Sequence, residues 1–355
     1  MDHLAVKDCS SLKTEELRCR FQKSLYSNRH TLLRTHADED SVMAFARSTA
    51  RGLETIPRQL ECRFLYDRRG SALYERITQQ PEYYPTRTED SILAGCAEEI
   101  RALTGPVTLL ELGSGSSTKT GHLLRAYGDS NSNACYVPID VSLSALQDAG
   151  RVICCDHGNI QVVGLHSTYE QAIPLFSVAS PAMAIFLGST VGNLTEAEAG
   201  QFYRKMAEAL QPGDYFLLGV DLVKEVRLLE AAYNDSAGVT AEFTRNLFAR
   251  MNRELGSAID LDSVEHLARY SRERRQIETH ARFNRPGRIE IAPLNRSFKI
   301  EGGEEILVEI SRKFELEQLI PELESHGFVV KRTFVDQNNW FSLLLLQRMG
   351  QPSFS

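Results

Sequence analysis

The chain has 355 residues, 42 % of them apolar and 25 % charged, and its 40 basic and 47 acidic residues leave a formal net charge of −7. That length allows one large domain or two with ample core, and the composition is that of an ordinary globular protein. The negative balance argues against nucleic acid as the partner. The Leu343–Leu346 run is too short to span a membrane and Met1–Cys9 has no signal-peptide core, so a cytoplasmic protein is expected.

Residues 1–40 are mixed in charge and weakly periodic. They promise a short helix near Leu12–Arg18 and read as a mobile N-terminal extension. Ser41–Leu53 carries a helical apolar face through Val42, Phe45 and Ala46. Phe64–Thr78 carries another, with Ser71 as the N-cap and Leu73, Tyr74 and Ile77 on one stripe. Between Pro81 and Pro85 lie Tyr83 and Tyr84, a stiff aromatic loop that suits a packed corner and a binding surface equally. A helix over Asp90–Leu103 follows.

Val107–Leu110 reads as a buried strand. Glu111 closes it, Gly113 and Gly115 permit a tight turn, and Ser116, Ser117 or Thr118 can cap a helix running to Tyr127. The loop is not a dinucleotide fingerprint, because Thr118 stands where the third glycine belongs, and it lacks P-loop spacing. Strands over Cys135–Asp140, Ile160–Gly164, Ala182–Leu187 and Tyr215–Asp221 alternate with helices, one from Ser142 to Ile153 and one over Glu196–Leu210. That rhythm predicts an α/β fold with a mostly parallel, doubly wound sheet. After Asp221 it breaks: residues 224–285 read as charged helices, including Asn246–Leu255 and Val264–Arg272. A strand pair over Arg288–Ile300 and a strand over Glu305–Ser311 come next. Glu315–Ser325 resumes as helix, with closing strands Phe328–Phe334 and Trp340–Leu346. A late insertion of this kind reads as a lid or substrate subdomain. The seven cysteines (9, 19, 62, 96, 135, 154 and 155) form no C-x-x-C pair, which suggests neither a disulfide framework nor a metal site.

Asp140 lies roughly 25 residues past the glycine loop, where a strand-end carboxylate can accept both hydroxyls of a ribose. NAD and S-adenosylmethionine both fit. The missing third glycine and the acidic Glu111 favour a sulfonium ligand over a pyrophosphate. Glu309, set among Ile306, Leu307, Val308 and Ile310, must have a partner if it faces a core: an arginine, His280 or a substrate.

From about Phe64 to Arg348 the chain closely resembles the histidine Nα-methyltransferases of ergothioneine biosynthesis. That family makes hercynine from L-histidine with S-adenosylmethionine. The motifs are Tyr66-Asp-x-x-Gly-Ser, Ile77–Glu89, Glu111-Leu-Gly-Ser-Gly-x-Ser-x-Lys-Thr, Phe186–Leu194, Gly219-x-Asp-Leu-Val-Lys, Ala232–Thr240 and Glu309–Phe314. The resemblance implies a Rossmann-like class I methyltransferase sheet, residues 89–223 and 314–348, holding S-adenosylmethionine. A second, α+β substrate subdomain would be built from 41–88 and 224–313. It implies that Gly113 and Lys119 frame the cofactor and Asp140 holds its ribose; at the adenine end, where the chain departs from the family, His166 or a backbone group such as that of Leu165 is the substitute. Tyr83, Asn193, Tyr233 and the Gly188 backbone would surround the amino acid's amine and carboxylate. Glu309 and Ser311 would bind the imidazole, with Tyr66 beside the ring. Tyr83 is the catalytic candidate, orienting the amine through three successive methylations.

Two departures stand out. Bacterial members show Gly-Asp-Phe after the third strand, whereas this chain has Gly164-Leu-His-Ser. The position often held by methionine beside the substrate ring is Thr279. Competing readings are a paralogue acting on tyrosine or tryptophan, a non-catalytic cofactor-binding protein, and, more distantly, an NAD-dependent oxidoreductase. A monomer acting on a small amino acid, with no metal, is the expectation.

Overall fold

The computed structural model describes residues 5–27, 30–35, 39–115, 117–128 and 134–350. Its first two strands, β1 (Ala5–Asp8) and β2 (Thr31–Arg34), lie in the segment that the sequence presents as an extension. Next come β3 (Thr108–Leu112), β4 (Ala134–Asp140), β5 (Ile160–His166), β6 (Ala182–Phe186) and β7 (Tyr215–Asp221). They are almost wholly buried, which is why these runs are so uniformly apolar: helices cover both faces of the sheet. The later insertion holds β8 (Val264–Ser271), β9 (Gln276–Phe283), β10 (Gly287–Ile291), β11 (Arg296–Ile300) and β12 (Glu305–Arg312). Strands β13 (Phe328–Val335) and β14 (Phe341–Arg348) close the chain.

The main sheet runs β1-β2-β5-β4-β3-β6-β7-β14-β13. Strands β1 to β7 are mutually parallel, and β14 runs antiparallel to its two neighbours. The chain therefore winds outward one way from β3 to β4 and β5 and the other way from β3 to β6 and β7. A doubly wound sheet opens its ligand crevice where the order reverses, at the carboxyl ends of β3 and β6. The helices Tyr84–Thr104, Gly121–Gly128 and Leu143–Asp156 pack one face through Leu93, Ile100, Leu123, Tyr127 and Ile153. Thr14–Leu25, Glu196–Ala209 and Leu316–Ser325 pack the other through Phe21, Tyr203, Met206 and Leu323.

A separate apolar core lies above that crevice. The helices Glu39–Glu54, Arg68–Thr78 and Val239–Leu255 bury Phe45, Leu73, Phe248 and Met251 together with Ile277, Ala281 and Val308 of the antiparallel sheet β12-β9-β8. Strand β12 then returns to the main sheet. The Phe314 N–H donates to the Asp221 carbonyl at 2.9 Å, and the Val223 N–H donates to the Phe314 carbonyl at 3.0 Å. No helix among the described residues is long and apolar enough to cross a membrane.

Several local expectations need correction. The helix over Arg68–Thr78 is capped by Asp67, whose carboxylate accepts the Gly70 N–H at 2.7 Å, and Ser71 sits inside its first turns. Val264–Arg272 is not a helix but β8, paired along its length with β9. Its apolar residues Val264, Leu267 and Ala268 recur at helical spacing, yet a partner strand with its own buried face decides the conformation. The N-terminal segment is likewise more structured than its weak periodicity suggests, because β2 adds a parallel neighbour to β5 from Thr31↔Val163 to Arg34↔His166.

Candidate active site

The turn after β3 is held by its own backbone and by buried carboxylates. Gly113 and Ser114 donate their N–H groups to the Ile139 carbonyl at 2.8 and 3.2 Å. Gly113 has φ +68°, and a Cβ there would lie 2.5 Å from the Tyr169 hydroxyl, so a larger residue strains the backbone and displaces either the turn or the Tyr169 side chain. Gly115 and Ser142 donate N–H groups to the two oxygens of Asp140 at 3.0 and 2.8 Å. Burial raises the Asp140 pKa, and those two donors pull against it. A carboxylate has about four acceptor sites, so two remain for hydroxyl groups of a ligand. Glu111 does not face the crevice freely. It accepts from Thr120 at 2.6 Å and from the Tyr136 hydroxyl, and burial pushes its carboxyl up to about 7. The helix that follows starts at Gly121, later than its hydroxyl residues suggest. Ser117 is hydrogen-bonded to Tyr136 at 2.8 Å, and Ser116 lies outside the described residues.

Lys119 points across the crevice to Glu89, a carboxylate with no exposed surface. Burial works against the Lys119 charge, but the Glu89 carboxylate prevails and holds its pKa above the usual value. Glu89 also accepts the Gly188 N–H, so the turns after β3 and β6 meet on one side chain. At the other end of the crevice, His166 stands beside Asp140 in the β4–β5 register, and its Nε2 lies 3.0 Å from the Val141 carbonyl. Leu165 points into the sheet core and is fully buried.

Between the main sheet and the second core lies a cavity that brings Tyr66, Tyr83, Gly188, Asn193, Tyr233, Glu309 and Ser311 together. Tyr74, Ile77, Thr190, Ala232, Thr240 and Phe243 complete its wall. The rings form a continuous edge-to-face chain: Tyr66 to Phe243 at 5.3 Å, Tyr66 to Tyr74 at 5.6 Å, Tyr74 to Tyr83 at 6.4 Å and Tyr83 to Tyr233 at 6.1 Å between centroids. Burial pushes the Tyr66 and Tyr83 hydroxyls well above the usual phenol range, so both are neutral at physiological pH.

Glu309 makes no hydrogen bond or ion pair with any described residue, and burial pushes its carboxyl up to about 7 against the pull of the Lys313 ammonium. Neither an arginine nor His280 answers it: His280 lies opposite Leu307, one step along the ladder. Thr279 is the residue opposite Glu309, and its hydroxyl is buried without a partner among the described residues. A desolvated carboxylate left unpaired on a cavity wall is costly unless a ligand answers it.

Beneath Ser311 and Tyr233 runs a buried ionic network. Lys313 Nζ donates to Ser311 Oγ at 2.8 Å, Tyr233 Oη at 3.0 Å and Asp221 Oδ2 at 2.9 Å. Asp221 also accepts from the Tyr84 hydroxyl at 2.8 and 2.9 Å and from Lys224, and these ammonium groups hold its pKa low against the cost of burial. Sequence reasoning missed Glu89, Lys313, Tyr74, Thr190 and Phe243. For Lys313 a signal existed: Glu309, Ser311 and Lys313 are spaced by two residues along one strand run and therefore share a face.

The donor set suits an adenosine-type sulfonium. It offers a tight turn whose two glycines take left-handed φ, a strand-end carboxylate with acceptor sites to spare, and the acidic Glu89 rather than an unopposed cationic cradle.

Sequence comparison with known proteins agrees. The model of a family described as histidine-specific, S-adenosylmethionine-dependent methyltransferases matches residues 45–348. The chain is 39 % identical over 312 residues to a histidine N-alpha-methyltransferase of Mycolicibacterium smegmatis, covering 88 % of this chain and 97 % of that protein. It is 31 % identical over 205 residues to ergothioneine biosynthesis protein 1 of Neurospora crassa, covering 56 % of this chain and 23 % of that one. Among solved structures, the methyltransferase CcbJ from Streptomyces caelestis aligns over 73 % of this chain and 95 % of its own at 16 % identity and a TM-score of 0.39.

Proposed function

We infer that this chain, which belongs to the histidine-specific, S-adenosylmethionine-dependent methyltransferase family, transfers methyl groups to the α-amine of L-histidine, yielding hercynine after three rounds. The observation that carries the substrate choice is Glu309, a half-buried carboxylate without a protein partner among the described residues, two residues from Ser311 on the wall of the same cavity. An ionised carboxylate accepts and a hydroxyl can donate, which is what a neutral imidazole with one N–H and one bare nitrogen requires. An indole has a donor but no acceptor.

Bound S-adenosylmethionine supplies the electrophilic methyl. The chain's own work is positioning and electrostatics. Asp140 is assigned to the ribose, Gly113 and Lys119 to the frame of the glycine turn, and His166 with the Leu165 backbone to the adenine end. Asn193, Tyr233 and the Gly188 backbone are assigned to the amine and carboxylate, and Tyr66 to the ring. Tyr83 is the catalytic residue of this scheme. Its neutral hydroxyl orients the amine lone pair, and its ring face favours the cation that grows with each methyl. The amine reaches the site by losing its proton to solvent, because buried phenols do not ionise near neutrality.

We divide the chain accordingly: 89–223 and 314–348 hold the cofactor, and 41–88 with 224–313 hold the amino acid. The separate apolar core of the second unit supports that division. A cytoplasmic monomer is our proposal for its setting, in keeping with seven cysteines that are all free thiols.

The test is incubation with labelled S-adenosylmethionine and, separately, histidine, tyrosine and tryptophan, with products read by mass. Histidine gaining up to three methyl groups is expected. Methylation of tyrosine or tryptophan with histidine untouched would overturn the assignment.

A further inference from the structure

Lys313 has no exposed side-chain surface, and its ammonium has three hydrogens and no lone pair. All three are committed, to Asp221, Tyr233 and Ser311. Tyr233 Oη, which accepts one of them, donates its own hydrogen to Ser311 Oγ at 2.7 Å. The Ser311 oxygen thus receives two donors, one for each lone pair. Its hydroxyl hydrogen cannot point back along the line that the Tyr233 hydrogen already occupies, and is left for the cavity that Ser311 lines. Glu309, two residues earlier on the same face, can only accept when ionised.

We propose that Lys313 is a positioning residue that fixes the donor direction of Ser311, so that the ring site presents one fixed donor beside the acceptor that ionised Glu309 supplies and selects a neutral imidazole. The proposal rests on the histidine assignment above and adds the group that enforces it. Without the ammonium, Tyr233 Oη loses the donor that fills one of its acceptor positions and becomes the better acceptor, so the Ser311 hydroxyl turns to donate to it and the cavity loses its fixed donor. An imidazolium, which bears N–H groups on both nitrogens, meets Ser311 donor to donor while Lys313 is in place. The network is built to outlast the loss of this one cation, because Asp221 keeps Lys224 and the Tyr84 hydroxyl.

The experiment is a double-mutant cycle on the full chain, read as KM for histidine, kcat and S-adenosylmethionine affinity. Ser311→Ala is expected to raise the histidine KM by roughly tenfold, the scale of one hydrogen bond to a ring nitrogen. Lys313→Met should raise it about as much, with kcat at saturation within about threefold, as for loss of ground-state binding. In the Ser311→Ala background, Lys313→Met should add less than about twofold. Lys313→Gln, whose amide still offers two hydrogens, should recover most of the affinity, and it carries the test should the methionine variant fail to fold.

Two results would overturn the proposal. One is a full Lys313→Met loss on top of Ser311→Ala, which would mean that the cation acts through Glu309 or Asp221. The other is Lys313→Gln as impaired as Lys313→Met with cofactor affinity intact. Failure of the parent chain to methylate histidine at all would instead refute the substrate assignment, so the two failures are distinct.

Discussion

The two carboxylate oxygens of Glu89 accept the Gly188 N–H at 2.8 and 2.9 Å, and Oε2 also takes the Lys119 ammonium. One side chain with no exposed surface thus ties the turn on which the cofactor would rest to the turn that opens the amino-acid cavity. Glu89→Ala leaves both the Gly188 donor and the Lys119 charge without their partner. Removing one member of a buried pair costs about 3–5 kcal/mol. A clear fall in melting temperature is expected, with loss of both cofactor and histidine binding by calorimetry. Loss of histidine binding alone, with cofactor affinity untouched, would contradict this coupling.

Glu309 reverses the usual behaviour of a native carboxylate. Burial raises its pKa from 4.5 to about 7, so its charge burdens the folded state increasingly as pH rises through that window and steadily above it. In the absence of substrate, Glu309→Gln should melt higher than the parent at pH 8 and close to it at pH 4, which thermal denaturation can check. Binding runs the other way. As pH falls through about 7 the carboxyl gains a proton and ceases to be a pure acceptor. The histidine KM should therefore climb from pH 8 to pH 6, whereas Glu309→Gln should be weak throughout and keep only the limb set by the imidazole, near 6.5. Cofactor affinity should not change in either case.

Gly113→Ala would place a methyl 2.5 Å from the Tyr169 hydroxyl at a φ of +68°. The turn or the Tyr169 side chain against it must shift, and S-adenosylmethionine affinity should fall by about tenfold or more while the melting temperature of the empty protein falls only modestly. Titration calorimetry reads the first and a melt the second. Unchanged affinity would remove this turn from the cofactor site.

Tyr83→Phe tests whether the phenol orients or ionises. Because burial keeps the hydroxyl neutral, the variant should lose kcat by about tenfold to a thousandfold without moving the pH midpoint of kcat/KM. A midpoint displaced by the substitution would make Tyr83 a titrating base and contradict the role given to it here.

The parts of the fold visible in the sequence were those governed by local rules. The central strands are short apolar runs closed by glycine or an acidic residue, and each lies where its run places it. Site residues in recognisable blocks, such as Tyr83, Asn193, Tyr233 and Glu309, converge on one cavity although they come from segments far apart in the chain. What stayed hidden depends on partners. Val264–Ser271 has helix-like spacing and becomes a strand only because β9 lies beside it. Glu89 reads as the last residue of an aromatic motif, and its role exists only once Lys119 and Gly188 are brought to it in space. Lys313 stands in the Glu309–Phe314 block without a role, and gains one only once Asp221, from a different strand, is seen to neutralise it.

The strand Thr31–Arg34 occupies what would otherwise be the open side of β5, and Thr35 donates its N–H and its hydroxyl to the His166 carbonyl at 3.0 and 3.1 Å. The stretch that matches the family model begins only at residue 45, so a chain cut to that boundary would bare the hydrogen-bonding edge of β5. An unprotected parallel edge is a template for a second copy of the same strand. The smallest well-behaved version of this protein is therefore longer than its recognisable part: trimming it to the family boundary exchanges an internal seam for an adhesive one, beside the residue that lies next to Asp140.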